Sequence, residues 1–155
     1  DPIHKVTIIS RGNTGGVTWS IPPEDKSYHS IVEFKDALAR MLGGRIAEEL
    51  IYGKEHVTTG AGSDLPSAAE LARDMIINQG MGSGRLRNQV FHVDEGIMMD
   101  KLMHERQYSE ETAKMIDDEV EDLITEADNR AREVLKAKKA GLEKLKEVKI
   151  KKRES

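Results

Sequence analysis

The residue of this sequence best suited to chemistry is a single carboxylate, Asp64, which follows a short loop rich in threonine and glycine. Apolar residues recur at helical spacing directly after it, at Leu65, Ala68, Ala69, Ala72, Met75 and Ile76. A carboxylate held beside a packed helix can act as a metal ligand, because rigid structure sets its position. The same residue also suits a helix cap, since aspartate near a helix N-terminus accepts backbone N–H bonds and favours the helix dipole. Taken alone, these residues favour the cap.

Other residue types that form reactive sites do not occur in recognisable patterns. The histidines are His4, His29, His56, His92 and His104, and none lies three or four residues from another. No helical histidine pair is therefore available to a metal, and no Gly-x-x-x-x-Gly-Lys-Ser/Thr loop is present for ATP phosphates. A Gly-x-Ser-x-Gly nucleophile elbow is also missing. The sequence contains no cysteine, which excludes disulfides and thiolate metal sites.

Composition limits the class of protein. A length of 155 residues suits one domain, and 37% apolar with 34% charged residues is typical of a helix-rich chain with much solvated surface. The formal net charge of -4 gives no nucleic-acid signature, and a charged run such as the basic C-terminus is read as a solvated face. No apolar run approaches the roughly 20 residues that cross a bilayer. Because the chain begins at Asp1-Pro2 rather than at Met, we expect it to be part of a longer protein.

The first elements that must position a site are two predicted strands. Val6 and Ile8 lie among β-branched neighbours, and residues 16–21 form a second candidate strand after a turn rich in glycine and asparagine. Two strands joined in this way predict a hairpin. Trp19 lies on the second strand, where it either packs against the domain or lines a substrate groove.

Two helices are predicted on either side of the candidate site. The first has an apolar face at Phe34, Leu38, Met41, Leu42, Ile46 and Leu50 and is closed by Gly53. Gly43 and Gly44 lie inside it and predict a close crossing by another backbone, since glycine is otherwise costly there. A catalytic role for Glu48 or Glu49 is the weaker alternative. The second helix is expected over residues 68–79 and ends at Gly80, and residues 89–93 are a candidate short strand.

A long C-terminal helix completes the predicted fold. Ser109 is a natural N-cap, with Glu110 and Glu111 at the positive end of the dipole. A continuous apolar stripe follows at Ile116, Val120, Leu123, Ala127, Ala131, Val134 and Leu135. Residues 144–155 are mostly lysine and glutamate and are expected to fray. The predicted class is mainly α (α+β), with a small N-terminal β-hairpin and a long C-terminal helix.

Several segments carry a more specific signal because they occur together in one order and spacing. They are Asp-Pro-Ile-His-Lys-Val-Thr-Ile-Ile (1–9) with Arg11-Gly12, Leu-Gly-Gly-Arg-Ile-Ala-Glu-Glu-Leu-Ile-Tyr-Gly (42–53), Thr-Thr-Gly-Ala (58–61) with Asp64-Leu65, Leu-Ala-Arg-Asp-Met (71–75) and Tyr-Ser-Glu-Glu-Thr-Ala (108–113). In this combination the chain resembles the peptidase domain of the FtsH family. The resemblance covers residues 1 to about 142, and it places an N-terminally truncated peptidase domain at 1–147 and a charged tail at 148–155. Residues 82–100, Pro66 and the basic C-terminus depart from the family pattern.

The resemblance implies a C-terminal peptidase domain of a membrane-anchored, ATP-dependent zinc metalloendopeptidase that forms homo-hexamers and degrades membrane and soluble proteins. Its ATP would bind in an ATPase domain outside this chain. The peptidase domain would face the cytoplasm, or the mitochondrial matrix or plastid stroma in a eukaryote. No nucleic-acid partner is implied.

At the level of residues, the resemblance makes Asp64 the third zinc ligand. The other ligands are histidines of a His-Glu-x-x-His helix whose glutamate is the general base, and this sequence does not contain that motif. A catalytic zinc needs three protein ligands, so no catalytic residue is assigned here and the 155-residue chain alone is predicted to be inactive. The strand at residues 16–20 resembles the edge on which substrate is bound by strand addition, which makes Gly16, Val17, Thr18 and Trp19 the predicted substrate-binding residues.

A different class of function stays open. The chain would then be a non-catalytic relative, a pseudopeptidase that acts as a ring-assembly scaffold, and Asp64 would be only a helix cap. The retained loop from Thr58 to Asp64 favours the protease, because a scaffold would not need it. The residues that precede Asp1 in the whole protein discriminate the two.

Overall fold

The computed structural model describes residues 3–7, 17–20, 28–59, 62, 64–91 and 108–154, with gaps between these ranges. It contains two compact units. One unit is Ser30–Val134, and the other combines Asp1–His29 with Leu135–Ser155. The fold is mainly helical, which confirms the predicted class.

The second unit contains a pair of short antiparallel strands. Strand β1 is Ile3–Thr7 and strand β2 is Val17–Ser20. Val6 lies opposite Thr18, and the register shifts between Ile3 and Lys5. The predicted strand pair is therefore present, while Ile8 and Gly16 fall outside the described residues.

Helix α1, Ile31–Tyr52, begins and ends with well-formed caps. Ser30 forms a capping box, in which the Glu33 N–H donates to Ser30 Oγ at 3.3 Å and the Ser30 N–H donates to the Glu33 carboxylate at 2.8 Å. Gly53 ends the helix at φ 88°, and its N–H donates to the Glu49 carbonyl at 2.9 Å. The predicted apolar face is confirmed by the buried residues Leu38, Leu42 and Ile46.

The two glycines inside α1 do not have the role that the sequence predicts. A methyl group built on Gly43 or Gly44 would meet no atom of the described residues within 4 Å, apart from its chain neighbours and the adjacent backbone of α1. A backbone that crossed closely at this point would lie within that distance. The prediction of a helix crossing here is therefore wrong for the part of the chain that is described.

Helix α2, Asp64–Ile77, begins at the candidate ligand. Pro66 lies in its first turn, where the backbone needs no N–H donor for the helix. The helix ends before Gly80, which has φ 63°, and the Met81 N–H donates to the Met75 carbonyl at 2.9 Å. Its buried residues are Ala68, Ala72, Met75 and Ile76.

The segment after α2 is a compact turn rather than a strand. A short 3₁₀ helix spans Gly84–Leu86, and a Cβ on Gly82 would lie only 2.8 Å from the Leu86 Cβ. Residues 89–91 are not in a strand, and the last two residues of the predicted strand fall outside the described ranges. Phe91 donates its N–H to the Ile77 carbonyl at 2.7 Å, which holds the end of the turn against α2.

The C-terminal region consists of helix α3, Glu110–Ala137, and helix α4, Lys139–Glu154. Ser109 caps α3 as predicted, since its Oγ accepts the Thr112 N–H at 3.2 Å. The residues that α3 buries are Ala113, Ile116, Leu123, Ala127 and Ala131. Residues 144–154, for which the sequence predicts fraying, lie within α4. Lysine and glutamate are good helix formers, so a highly charged segment can remain helical.

Ion pairs on the surface of the Ser30–Val134 unit connect its helices. They are Lys35–Glu126 and Asp36–Arg130 between α1 and α3, and Arg73–Asp117 between α2 and α3. Exposed pairs of this kind contribute about 0 to 1 kcal/mol each, so apolar burial carries most of the stability. Within the described ranges, none of the helices has the length and apolar character needed to span a bilayer.

Candidate metal site

Asp64 is the first residue of α2, and its side chain is exposed. The buried residues of α2 fix the axis of the helix, so the Cα of Asp64 is held by packing on its C-terminal side. No backbone N–H among the described residues donates to the Asp64 carboxylate, and no described cation pairs with it. Its negative charge lies at the favourable end of the α2 dipole. The position therefore combines a fixed backbone with an accessible carboxylate.

The loop that leads to Asp64 is tied to α1 by a second carboxylate, Glu48. The Thr58 N–H donates to Glu48 Oε2 at 2.9 Å, and Thr58 Oγ1 lies 3.0 Å and 3.1 Å from the two oxygens of the same carboxylate. Further along, the Gly62 N–H donates to the Thr59 carbonyl at 2.9 Å. A Cβ on Gly62 would lie 2.9 Å from that carbonyl oxygen, so glycine is required for the turn.

Glu49, the neighbour of Glu48, makes a different connection. Both of its oxygens accept from the Arg132 guanidinium of α3, at 3.1 Å and 3.0 Å, and Asp128 accepts from Arg132 Nε at 3.2 Å. The Glu49 side chain is 16% exposed, and that of Arg132 is 26% exposed. The hydrogen bonds from Arg132 hold the pKa of the Glu49 carboxyl below its ordinary value. A carboxylate engaged in this way is a poor proton acceptor, so the structure favours a structural role for Glu49 over a catalytic one.

The partners of Glu48 and Glu49 were not foreseen from the sequence. The threonine pair at residues 58–59 was the only available signal, and it did not indicate which acceptor would bind it. The partners, Thr58 and Arg132, lie outside the helical repeat of α1, the first in a loop and the second in α3.

The predicted substrate-binding residues are far from these contacts in the amino-acid sequence. Val17, Thr18 and Trp19 belong to β2, and Gly16 lies outside the described residues. Trp19 is opposite Lys5 of β1. Within the described residues the sheet has only these two strands, so β2 keeps one edge that is not paired in the sheet. The sequence left open whether the Trp19 side chain packs against the domain or lines a substrate groove. That side chain lies outside the described part of the structure.

Among the described residues, Asp64 is suited to bind zinc, and it would supply a single ligand. Within the described ranges, no group of three or more His, Asp or Glu side chains is arranged to hold a metal ion. A carboxylate oxygen is an accepted zinc ligand, and the exposed Asp64 carboxylate is available as one. The remaining ligands of a catalytic site would have to come from outside the described residues.

At the level of class, these features define a mainly α domain with one accessible carboxylate at the start of a packed helix. The chain belongs to Peptidase family M41, whose profile matches residues 1–154. This confirms the resemblance to the FtsH family.

Curated relatives agree with this membership. The "ATP-dependent zinc metalloprotease FtsH" of a Synechococcus species is 41% identical over 150 residues, which cover 94% of this chain and 23% of that protein. The protein of the same name from Kosmotoga olearia is 42% identical over 154 residues, with 97% of this chain and 23% of the relative covered. The Chloroflexus aggregans protein is 40% identical over 146 residues, with 92% and 22% covered. The chain thus spans less than a quarter of the length of these three relatives.

Proposed function

We propose that this chain is the C-terminal peptidase domain of a membrane-anchored, ATP-dependent zinc metalloendopeptidase that degrades membrane and soluble proteins. The domain would comprise residues 1–147, with a charged tail at 148–155. The observation that carries the proposal is the accessible carboxylate of Asp64, fixed at the start of α2 in a member of Peptidase family M41. The names of the relatives, which state zinc and ATP dependence, support the same function.

Asp64 would contribute one ligand to the zinc ion. When bound, zinc supplies Lewis-acid polarisation of the scissile carbonyl and an activated water. The part of this chain in that chemistry is to hold one carboxylate oxygen in place, with α2 as the rigid support. By itself the 155-residue chain is proposed to be inactive, since catalytic zinc requires three protein ligands.

Substrate would be held on β2 through residues 16–19. An extended peptide can add to a sheet edge through main-chain hydrogen bonds, which gives affinity without demanding a particular sequence. The unpaired edge of β2 within the described residues supports this role.

The whole protein is further proposed to assemble as a homo-hexamer that is anchored in a membrane. Its peptidase domain would face the cytoplasm, or the mitochondrial matrix or plastid stroma in a eukaryote. ATP would bind in a domain outside this chain. A ring requires a heterologous interface, in which different faces of each copy meet.

The test is Asp64→Ala in the whole protein that carries this chain, assayed for bound zinc, casein cleavage and ATP hydrolysis. We expect loss of zinc and of cleavage, while ATP hydrolysis remains. Glu70→Ala is the matched control, because Glu70 is also an exposed acidic residue of α2 and should change none of the three readouts. Retained cleavage in the Asp64 variant would remove this residue from the site. A wild-type protein without zinc or cleavage would favour the ring-assembly scaffold.

A further inference from the structure

We propose that helix α4 of one copy docks on the solvent-facing side of helix α3 of a second copy of this chain, through opposite charges on the two helices. The contact needs neither zinc nor catalysis, so it goes beyond the proposed function and is tested apart from it. Because the basic C-terminus departs from the pattern of the FtsH family, the contact would be particular to this chain.

Helix α4 carries a large excess of positive charge. Its 16 residues contain seven Lys or Arg and three Glu. Lys139 and Lys144 are exposed, and no described carboxylate pairs with either of them. Leu145 and Val148 are 46% and 43% exposed. The helix therefore presents positive charge together with apolar side chains that no described residue covers fully.

Helix α3 has the opposite charge. Its 28 residues contain ten Asp or Glu and four Lys or Arg. Glu121, Asp122 and Glu133 are exposed, and no described cation pairs with them. At about 100° per residue these three carboxylates fall within an arc of about 120°, on the side away from the buried residues Leu123 and Ala127. We call Glu121, Asp122 and Glu133 the acidic stripe.

Other carboxylates of α3 hold the helices of its own unit together. Asp117 pairs with Arg73 of α2, and Glu126 pairs with Lys35 of α1. The acidic stripe makes no such pair among the described residues. Its charge is therefore available to another molecule.

The two surfaces are complementary in charge, in apolar content and in length. The acidic stripe is about 18 Å long, and α4 is about 24 Å long. Val134, which follows the last residue of the stripe, is 56% exposed and offers an apolar counterpart to Leu145. Opposite charges steer and orient the partners, while apolar burial contributes affinity. A second copy fits as the partner because the chain carries both surfaces, and since the two surfaces differ, the contact is heterologous.

The experiment measures self-association of the 155-residue chain by sedimentation equilibrium over a concentration series. Association is expected at about 0.1 M salt and should weaken at about 1 M, where the Debye length falls from about 10 Å to about 3 Å. The α4 variant combines Lys139→Glu with Lys144→Glu, and the α3 variant combines Glu121→Lys with Asp122→Lys. Each should raise the Kd up to about 25-fold, because an exposed ion pair is worth up to about fivefold and two are lost. Like-charge repulsion adds to this loss.

A mixture of the two variants provides the decisive measurement. The α4 variant retains the acidic stripe and the α3 variant retains the lysines, so the mixture should associate although each variant alone does not. A contact within one chain would not be restored by mixing. Glu55→Lys with Glu70→Lys is the matched control, because it changes the net charge equally at exposed residues outside α3 and should leave the Kd unchanged.

The proposal is overturned if the wild-type chain stays monomeric at about 0.1 M salt, if the mixture stays monomeric, or if the control weakens association as much as the α3 variant does. Binding to vesicles of anionic phospholipid that the α4 variant loses, without self-association of the wild type, would assign α4 to a membrane surface and also overturn it. Loss of zinc or of cleavage in the whole protein concerns the proposed function alone.

Discussion

Replacement of Gly44 by alanine is expected to stabilise this chain, although the sequence pattern alone suggests the opposite. Gly44 lies in the interior of α1, and its backbone is exposed. If another backbone crossed at this point, an added methyl group would clash with it and destabilise the fold. Apart from its chain neighbours and the adjacent backbone of α1, the structure instead places no described atom within 4 Å of a Cβ built there.

The magnitude follows from the two terms that the substitution changes. Alanine is about 1 kcal/mol more favourable than glycine in a helix interior, because glycine loses more backbone entropy on folding. The steric term is zero when the methyl group meets open space. Gly43→Ala has the same two terms, so the double variant should gain about 2 kcal/mol in unfolding free energy. In a chain of this size each kcal/mol corresponds to about 2 to 4 °C in Tm.

The assay is urea unfolding of the 155-residue chain, monitored by far-UV circular dichroism. Gly82→Ala is the control with the opposite sign, because its Cβ would lie 2.8 Å from the Leu86 Cβ and 3.1 Å from the Leu86 carbonyl oxygen. Such overpacking typically costs about 1 to 3 kcal/mol. If Gly44→Ala lowers the unfolding free energy as Gly82→Ala does, a segment of the molecule lies against Gly44 and the reasoning from open space is refuted.

Substitutions at three further positions test the packing, a cap and an ion pair, each by the unfolding free energy. Leu38→Ala removes a side chain with 0% exposure and should cost about 2 to 5 kcal/mol, so a loss below about 1 kcal/mol would contradict its burial. Ser109→Ala removes the acceptor of the Thr112 N–H and should cost about 1 kcal/mol, while Ser109→Asp should retain most of the stability. The lowered pKa of Glu49 means that its pair with Arg132 stabilises the fold above the ordinary value of 4.5 and that this contribution is lost as the pH falls through the folded pKa. Wild type should therefore lose more stability than Glu49→Gln between about pH 5 and about pH 3, and parallel profiles would show that the pair does not contribute.

The sequence alone determined the features that depend on local repeats and local chemistry. Apolar residues at helical spacing predicted α1, α2 and α3, because a helix must bury one continuous face. Ser109 was identified as a cap from its type and position, and Gly53 as the end of α1. Asp64 was placed at the start of a helix, and the ordered segments indicated the family that the comparison over residues 1–154 confirmed.

Local patterns failed where the outcome depended on which segments meet. Gly43 and Gly44 predicted a close crossing, and the described structure shows open space there. The sequence identified the unusual glycine pair without the neighbours that decide its effect.

Only the tertiary structure distinguished Glu48 from Glu49. The two carboxylates are adjacent and chemically identical, so no sequence rule assigns one to the Thr58 loop and the other to Arg132. Successive helix residues point in directions about 100° apart, and each direction meets a different segment once the chain has folded. Residue type set what each carboxylate is able to bind, while packing decided which partner each one has.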